Sequence, residues 1–245
     1  MTPGPLPTAT PTPRLQRVIP IESPWFLPVR LLDAPIDWAV LFGRAAPLVL
    51  EIGCGIGHFL VALANRHPER NILGIDIYNK GCLKSCRKLE AAGLTNVRVM
   101  RVEARELLLK ALPDASLQAI YINCPDPWPK QRHRDRRLVN RDFLELALRR
   151  LRPDGELFFA SDQRDYAEQV AAELAGMPAF RNQLPAPLAT ELPGYPLSKY
   201  MRRFLDQGLP IHFVHCRRDP TVPLAAVDGE NLLRGYRSRR PGKPE

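Results

Sequence analysis

The sequence predicts a doubly wound, mostly parallel α/β sheet. Three observations lead there. Five apolar runs of strand length alternate with segments of helical spacing between residues 48 and 174. A glycine cluster follows the first run at once, and acidic residues stand at the ends of successive runs. Strands and helices that alternate in this way build βαβ units, with a parallel sheet buried under helices on both faces.

Leu48–Ile52 is the first buried-strand run, closed by Gly53-Cys54-Gly55-Ile56-Gly57. Phe59, Leu60, Leu63 and Ala64 then recur at helical spacing. Ile72–Ile77 reads as the second strand, with Asp76 near its end. A helix is expected from Lys80 to Ala92, where Gly93 stops it. Val97–Val102 is the third strand, followed by Glu103 and a helix that reaches Leu112. Leu117–Ile122 is the fourth strand. After it comes Asn123-Cys124-Pro125-Asp126-Pro127-Trp128-Pro129-Lys130. Prolines so spaced neither continue a ladder nor sit inside a helix, so this stretch is a stiff loop. Helical spacing resumes over Asp142–Leu151 and ends at a turn, Arg152-Pro153-Asp154-Gly155. Glu156–Ser161 is the fifth strand and Asp165–Leu174 the next helix. From Gly176 the alternation weakens. Residues 176–197, rich in Pro and Leu, are expected to wrap the ligand edge, and Ile211–His215 reads as one more strand.

The two ends read differently from this core. Residues 1–28 carry eight prolines and few large apolar side chains. Such a segment does not bury enough surface to offset its ordering entropy, and it is expected to be mostly disordered. Residues 29–216 form the domain, opening with a short helix near Trp38–Phe42. Residues 217–245, with Arg234, Arg237, Arg239, Arg240 and Lys243, read as a loose basic tail.

The 245-residue chain carries a net charge of +9, which favours a polyanionic partner or surface. Its cysteines at 54, 82, 86, 124 and 216 show no zinc-ligand spacing with His. Reduced thiols, no metal and a cytoplasmic location are the expectation. No apolar run has the length of a membrane span, and no membrane partner is expected.

The glycine turn lets backbone N–H groups approach a ligand, a feature common to several nucleotide-binding folds. Glu51 just before it would repel a pyrophosphate and suits a cationic ligand instead. Asp76, placed at the second strand end, suits ribose hydroxyls, and Glu103 would fall on an adenine side. Beyond the proline-rich loop, nine Lys and Arg lie between Lys130 and Arg152. Arg forks match phosphate oxygens. His133 reads as a phosphate or structural contact, and Trp128 as a base-stacking platform or a wedge that packs the loop. Asp162 ends the fifth strand, and Ser198-Lys199-Tyr200 stands where it closes over the same edge.

Together, Leu50-Glu51-Ile52-Gly53-Cys54-Gly55, Gly74-Ile75-Asp76-Ile77, the Asn123–Lys130 loop, Arg132-His133 and Arg136-Arg137 resemble the bacterial tRNA (guanine-N7-)-methyltransferase family over about residues 36–215. The resemblance implies a Rossmann-like class I methyltransferase with a sheet of the seven-stranded type. It implies S-adenosylmethionine as donor and the variable-loop guanosine of tRNA as acceptor. By position it implies cofactor contacts at Glu51, Gly53, Gly55, Asp76, Glu103 and Asp126, with Asp126 also catalytic. It implies substrate contacts at Lys130, Arg132, His133, Arg134, Arg136, Arg137, Asp162, Ser198 and Met201. The family's Thr-x-x-Glu corresponds to Ser198-Lys199-Tyr200-Met201, which keeps a hydroxyl and lacks the carboxylate. Rival readings are a methyltransferase of another RNA or a small molecule, a nicotinamide-dependent oxidoreductase and a non-catalytic RNA-binding module. The basic loop argues against a small molecule, Glu51 against a dinucleotide, and the full set of edge acids against a mere scaffold. Monomer and homodimer both remain open.

Overall fold

The computed structural model describes residues 19–224. An eight-stranded sheet runs through the molecule. Its strands are β1 (Phe26–Leu27), β2 (Leu48–Ile52), β3 (Asn71–Asp76), β4 (Val97–Arg101), β5 (Leu117–Asn123), β6 (Leu151–Ser161), β7 (Phe180–Asn182) and β8 (His212–Arg218). Their order across the sheet is β1-β4-β3-β2-β5-β6-β8-β7. Pairs from β1 to β6 are parallel, and β8 and β7 close the far edge antiparallel. Without β1, the order is a seven-strand doubly wound one, and β1 is an added edge.

The helices are α1 (Trp38–Phe42), α2 (His58–Arg66), α3 (Asn79–Ala91), α4 (Ala104–Lys110), α5 (Arg141–Arg150), α6 (Arg164–Ala175) and α7 (Lys199–Asp206). One apolar cluster gathers Phe143, Leu144, Phe159, Tyr166 and Val170 with the inner residues of β2, β3 and β5. The other face packs Phe59, Leu60, Cys82, Cys86 and Leu89 against Val49, Ile72, Val97 and Val99. Strands β2, β3 and β5 are therefore apolar almost without interruption, because both their faces are covered.

The chain turns back across the sheet between β2 and β5, which are neighbours. In an open α/β sheet the crevice at such a switch point, beyond the carboxyl ends of the strands, is where ligands bind. Glu51 and the glycine turn lie on one side of it, Asn123 and the proline-rich loop on the other.

Three expectations need correction. The expected disorder does not hold over residues 19–28. Trp25 Nε1 donates to the Leu94 carbonyl at 2.5 Å, the Val99 amide donates to the Trp25 carbonyl, and Ile19 and Asn79 exchange two hydrogen bonds. Trp25, Phe26 and Leu27 supply apolar surface that the proline count hides, and edge position tolerates missing donors. Residues 1–18 lie outside the described residues. The expected looseness does not hold over residues 217–219. Strand β8 continues to Arg218, and buried Asp219 accepts from Arg181 Nε at 2.6 Å and from the Thr221 amide. The basic residues from Arg234 onward lie outside the described residues. Finally, the turn at 152–155 is not a break before a strand. It loops out of β6, whose pairing with β5 passes from Leu117↔Leu151 to Ala119↔Glu156, with Asp154 at φ 60°.

Candidate active site

The glycine turn is held from behind. The amides of Gly53 and Cys54 both donate to the Ile75 carbonyl, and the Gly55 amide donates to Asp76 Oδ2 at 2.7 Å. The other oxygen of Asp76 accepts from the Tyr78 amide at 2.8 Å. Asp76 thus ties the end of β3 to the turn. Gly57 has φ 79°, and a Cβ there would stand 2.9 Å from Ser85. That close approach lets Ser85 Oγ donate to the Gly55 carbonyl.

Glu51 is 2% exposed, and its Oε2 has no hydrogen-bond partner among the described residues. Burial, reinforced by the charge of Asp76 and opposed by the nearby amide of Asn123, raises its pKa to about 8. A buried carboxyl with an orphaned oxygen fits an incoming cation. Glu103 is placed at the end of β4, where its Oε2 accepts from the Glu106 amide at 3.1 Å. It is the N-cap of α4, so one of its oxygens has a structural task.

The proline-rich loop leaves β5 in a strained conformation. Cys124 has φ 46° and Trp128 φ 42°, a region that side chains other than Gly rarely adopt. The restraint that holds them is Arg137. Its Nε donates to the Pro127 carbonyl at 2.8 Å, Nη1 to Gln169 Oε1 at 2.7 Å and Nη2 to Asp165 Oδ2 at 2.6 Å. Its guanidinium lies over the Tyr166 ring, and the residue is 1% exposed. The expectation that Arg137 touches tRNA is therefore corrected: the side chain is buried, and three of its N–H groups are bonded within the protein. Asp126 projects from the clamped loop, exposed and without a hydrogen bond or ion pair among the described residues.

The rest of the basic run forms a 3-10 helix, Gln131–Arg136. Lys130, Arg132, Arg134 and Arg136 are exposed along it. Arg136 stacks on Trp128 at 5.0 Å, and His133 meets the same ring edge-on at 5.9 Å. Trp128 thereby ties the loop to the helix, with His133 against its ring. Arg134 pairs with Asp165 at 2.9 Å. An open groove of about 620 Å³ is lined by Lys130, Gln131 and Arg132.

Asp162 stands at the end of β6 and accepts from Gln163 Nε2 at 2.7 Å. It lies against Cys124, whose thiol is pushed up to about 12 by burial and then by the charge of Asp162. Ser198 is the N-cap of α7: its Oγ accepts from the Met201 amide at 3.2 Å. Met201 completes a capping box, its Sδ accepting from the Ser198 amide at 3.4 Å. Met201 is 0% exposed among Ala160, Ile211 and Phe213. The expected substrate contact at Met201 is corrected accordingly. The side chain that replaces the carboxylate is a core residue and a cap.

Two residues missed by sequence reading face this crevice. Asn123 ends β5, its Nδ2 buried and without a partner among the described residues, and its Oδ1 accepts from the Tyr195 hydroxyl at 2.6 Å. Tyr195 packs on Phe59, Tyr121, Phe158 and Phe213. Asn123 had a signal, since it opens the loop motif. Tyr195, between Gly194 and Pro196, had none.

Among the described residues no three His, Cys, Asp or Glu side chains come together as metal ligands, and no helix is long and apolar enough to cross a membrane. All five cysteines are free.

A family model described as "Putative methyltransferase" matches residues 45–214. A protein of Syntrophotalea carbinolica named tRNA (guanine-N(7)-)-methyltransferase is 56% identical over 223 residues, covering 91% of this chain and 96% of that protein. The chain belongs to the tRNA (guanine-N(7)-)-methyltransferase family. A family member from Geobacter metallireducens is 50% identical, covering 83% of this chain and 97% of its own. Among solved structures, the 16S rRNA methyltransferase KamB matches with a TM-score of 0.56 at 16% identity, over 75% of this chain and 93% of that one. An antibiotic-related methyltransferase matches with a TM-score of 0.51 at 21% identity, over 73% and 90%. The fold is thus that of S-adenosylmethionine-dependent methyltransferases of class I, and the family's glycine turn and Pro-Asp-Pro-Trp loop sit at its switch point.

Proposed function

We propose that this chain transfers a methyl group from S-adenosylmethionine to N7 of the variable-loop guanosine in tRNA. The observation that carries the reading is the clamped Pro-Asp-Pro-Trp-Pro loop. It presents an unpaired, exposed Asp126 beside an exposed basic helix, at the edge where Glu51 and Asp76 converge. Both relatives quoted above carry the name of this activity.

Glu51 would receive the ammonium of the cofactor's methionine end, with Gly53 and Gly55 allowing close approach. Asp76 would take the ribose and Glu103 the adenine side. The buried orphan oxygen of Glu51 fits that assignment. When bound, S-adenosylmethionine supplies a methyl group on a positively charged sulfur.

Guanine N7 carries a lone pair and no proton, so the chain needs no general base. Its task is to align the base and to stabilise charge where it develops. Asp126 does this by accepting from the guanine N1–H and amino edge, or by facing the purine as it becomes cationic. It acts by position and charge. Lys130, Arg132, Arg134 and Arg136 hold backbone phosphates, an attraction that weakens with salt. Asp162 and the Ser198 hydroxyl would contact the guanosine. The target base is turned out of its stack to reach this edge. A tRNA substrate puts the chain in the cytoplasm.

The test is incubation with labelled S-adenosylmethionine and bulk tRNA, followed by identification of the nucleoside. Label in 7-methylguanosine is expected. Label in another nucleoside, or only in small molecules, would overturn the assignment.

A further inference from the structure

Glu51 lies on β2, and its register partner on β5 is Tyr121, two residues before Asn123. Asn123 and Glu51 each keep one buried polar atom without a partner, Nδ2 and Oε2. Orphans of this kind are rare in folded proteins, and two in one crevice mark a network completed by something else. The amide of Asn123 is not free to turn. Its Oδ1 accepts from the Tyr195 hydroxyl at 2.6 Å, which fixes Nδ2 as the group left toward the crevice. Tyr195 in turn is locked among Phe59, Tyr121, Phe158 and Phe213, with ring centroids 5.2–5.9 Å apart. It belongs to the segment between β7 and α7, remote in sequence from the glycine turn.

We propose that Tyr195 and Asn123 are positioning residues for Glu51: the Tyr195 hydroxyl orients the Asn123 amide, and its Nδ2 steadies the carboxylate that Glu51 becomes when the ammonium of the methionine end arrives. This rests on the cofactor reading above and assigns it two residues. The segment after β7 then contributes to cofactor affinity as well as covering the sheet. Asn123 is also the one neighbour that favours the charged form of Glu51; Asp76 on β3, together with burial, disfavours it. Cys54 in the glycine turn and Tyr195 also face Glu51, and both stay neutral near pH 7, their own pKa values pushed well up by burial.

The experiment measures binding of S-adenosylhomocysteine and of 5′-methylthioadenosine, which lacks the amino-acid end, to wild type, Asn123→Ala and Tyr195→Phe. Tyr195→Phe keeps the ring in its cluster. Affinity for S-adenosylhomocysteine should fall about tenfold or more in Asn123→Ala and about three- to tenfold in Tyr195→Phe, the range for one hydrogen bond with and without a charged partner. Affinity for methylthioadenosine should stay within a factor of two, as a rough bound. In Asn123→Ala the pH at which S-adenosylhomocysteine affinity rises should move upward. Equal weakening of both nucleosides would mean general damage to the pocket and would overturn the proposal, as would unchanged binding of both. A wild type that binds neither nucleoside would overturn the cofactor reading, and this proposal with it.

Discussion

At the scale of single residues, position decides what an acid does. Asp126 is exposed, without a partner among the described residues and mounted on a strained loop, whereas Glu51 is buried with one oxygen left without a partner among them. Asp126→Asn keeps the shape and loses the charge, so single-turnover methylation of tRNA should fall by about 10²-fold or more, the scale of losing one preorganised electrostatic group. The wild-type rate should not rise log-linearly through neutrality; a rise of that kind, lost in the Asn variant, would indicate base catalysis. For Glu51 the sign follows from its pKa of about 8 in the fold against 4.5 in the reference state. Between those values the folded chain holds a proton that the unfolded chain has released. This contribution to stability is full below pH 4.5 and is lost as pH rises through about 8. An arriving ammonium favours the carboxylate, so S-adenosylhomocysteine binding at pH 7 should release protons. Calorimetry in buffers of different ionisation enthalpy measures this, and Glu51→Gln should abolish it.

At the scale of elements, the basic run divides into an inside and an outside. Arg137 is the clamp between the proline-rich loop and α6, while Arg132 and Arg136 face solvent from the 3-10 helix. Arg132→Ala with Arg136→Ala should flatten the salt dependence of tRNA binding by about one unit per lost phosphate contact and leave stability within about 0.5 kcal/mol. Arg137→Ala strands the partners of a buried ion and should cost about 3 kcal/mol or more in denaturant unfolding. If Arg137→Ala is as stable as wild type, the clamp is not what holds the loop. The start of α7 gives the companion case. Ser198→Ala should cost about 1 kcal/mol as a lost cap. Met201→Glu places a carboxyl in the Ala160–Ile211–Phe213 cluster and should destabilise by about 2 kcal/mol or more without raising activity. A stable and more active Met201→Glu would show that this helix end opens toward substrate.

At the scale of the whole molecule, the sheet order puts the two halves of the site beside each other. Residues 51–57 and 123–130 are far apart in the chain and meet because β2 and β5 are neighbours. Any ligand bound there stabilises the domain by mass action. S-adenosylhomocysteine at a hundred times its dissociation constant adds about 2.7 kcal/mol, which raises Tm by about 5–10 °C for a chain of this size. NAD should leave Tm unchanged. The reverse pattern in a thermal-shift series would exclude the assigned cofactor.

Sequence alone determined the alternation of strand and helix, the glycine turn, the stiff loop and the acids at Glu51, Asp76, Asp126 and Asp162. These are local properties: periodicity, missing donors and backbone freedom act within a few residues of the chain. It did not reveal the short edge strands Phe26–Leu27 and Phe180–Asn182, because two or three residues carry no period. Nor did it tell Arg137 from Arg136, adjacent and chemically identical. Only packing buries one under Tyr166, Gln169 and Asp165 and leaves the other on the exposed face of Trp128. The exchange of an expected carboxylate for Met201 reads in sequence as a lost contact. The tertiary structure makes it a buried cap, because α7 turns that position toward Ile211 and Phe213. Burial and long-range neighbours decide these roles, and both are set by how distant segments meet.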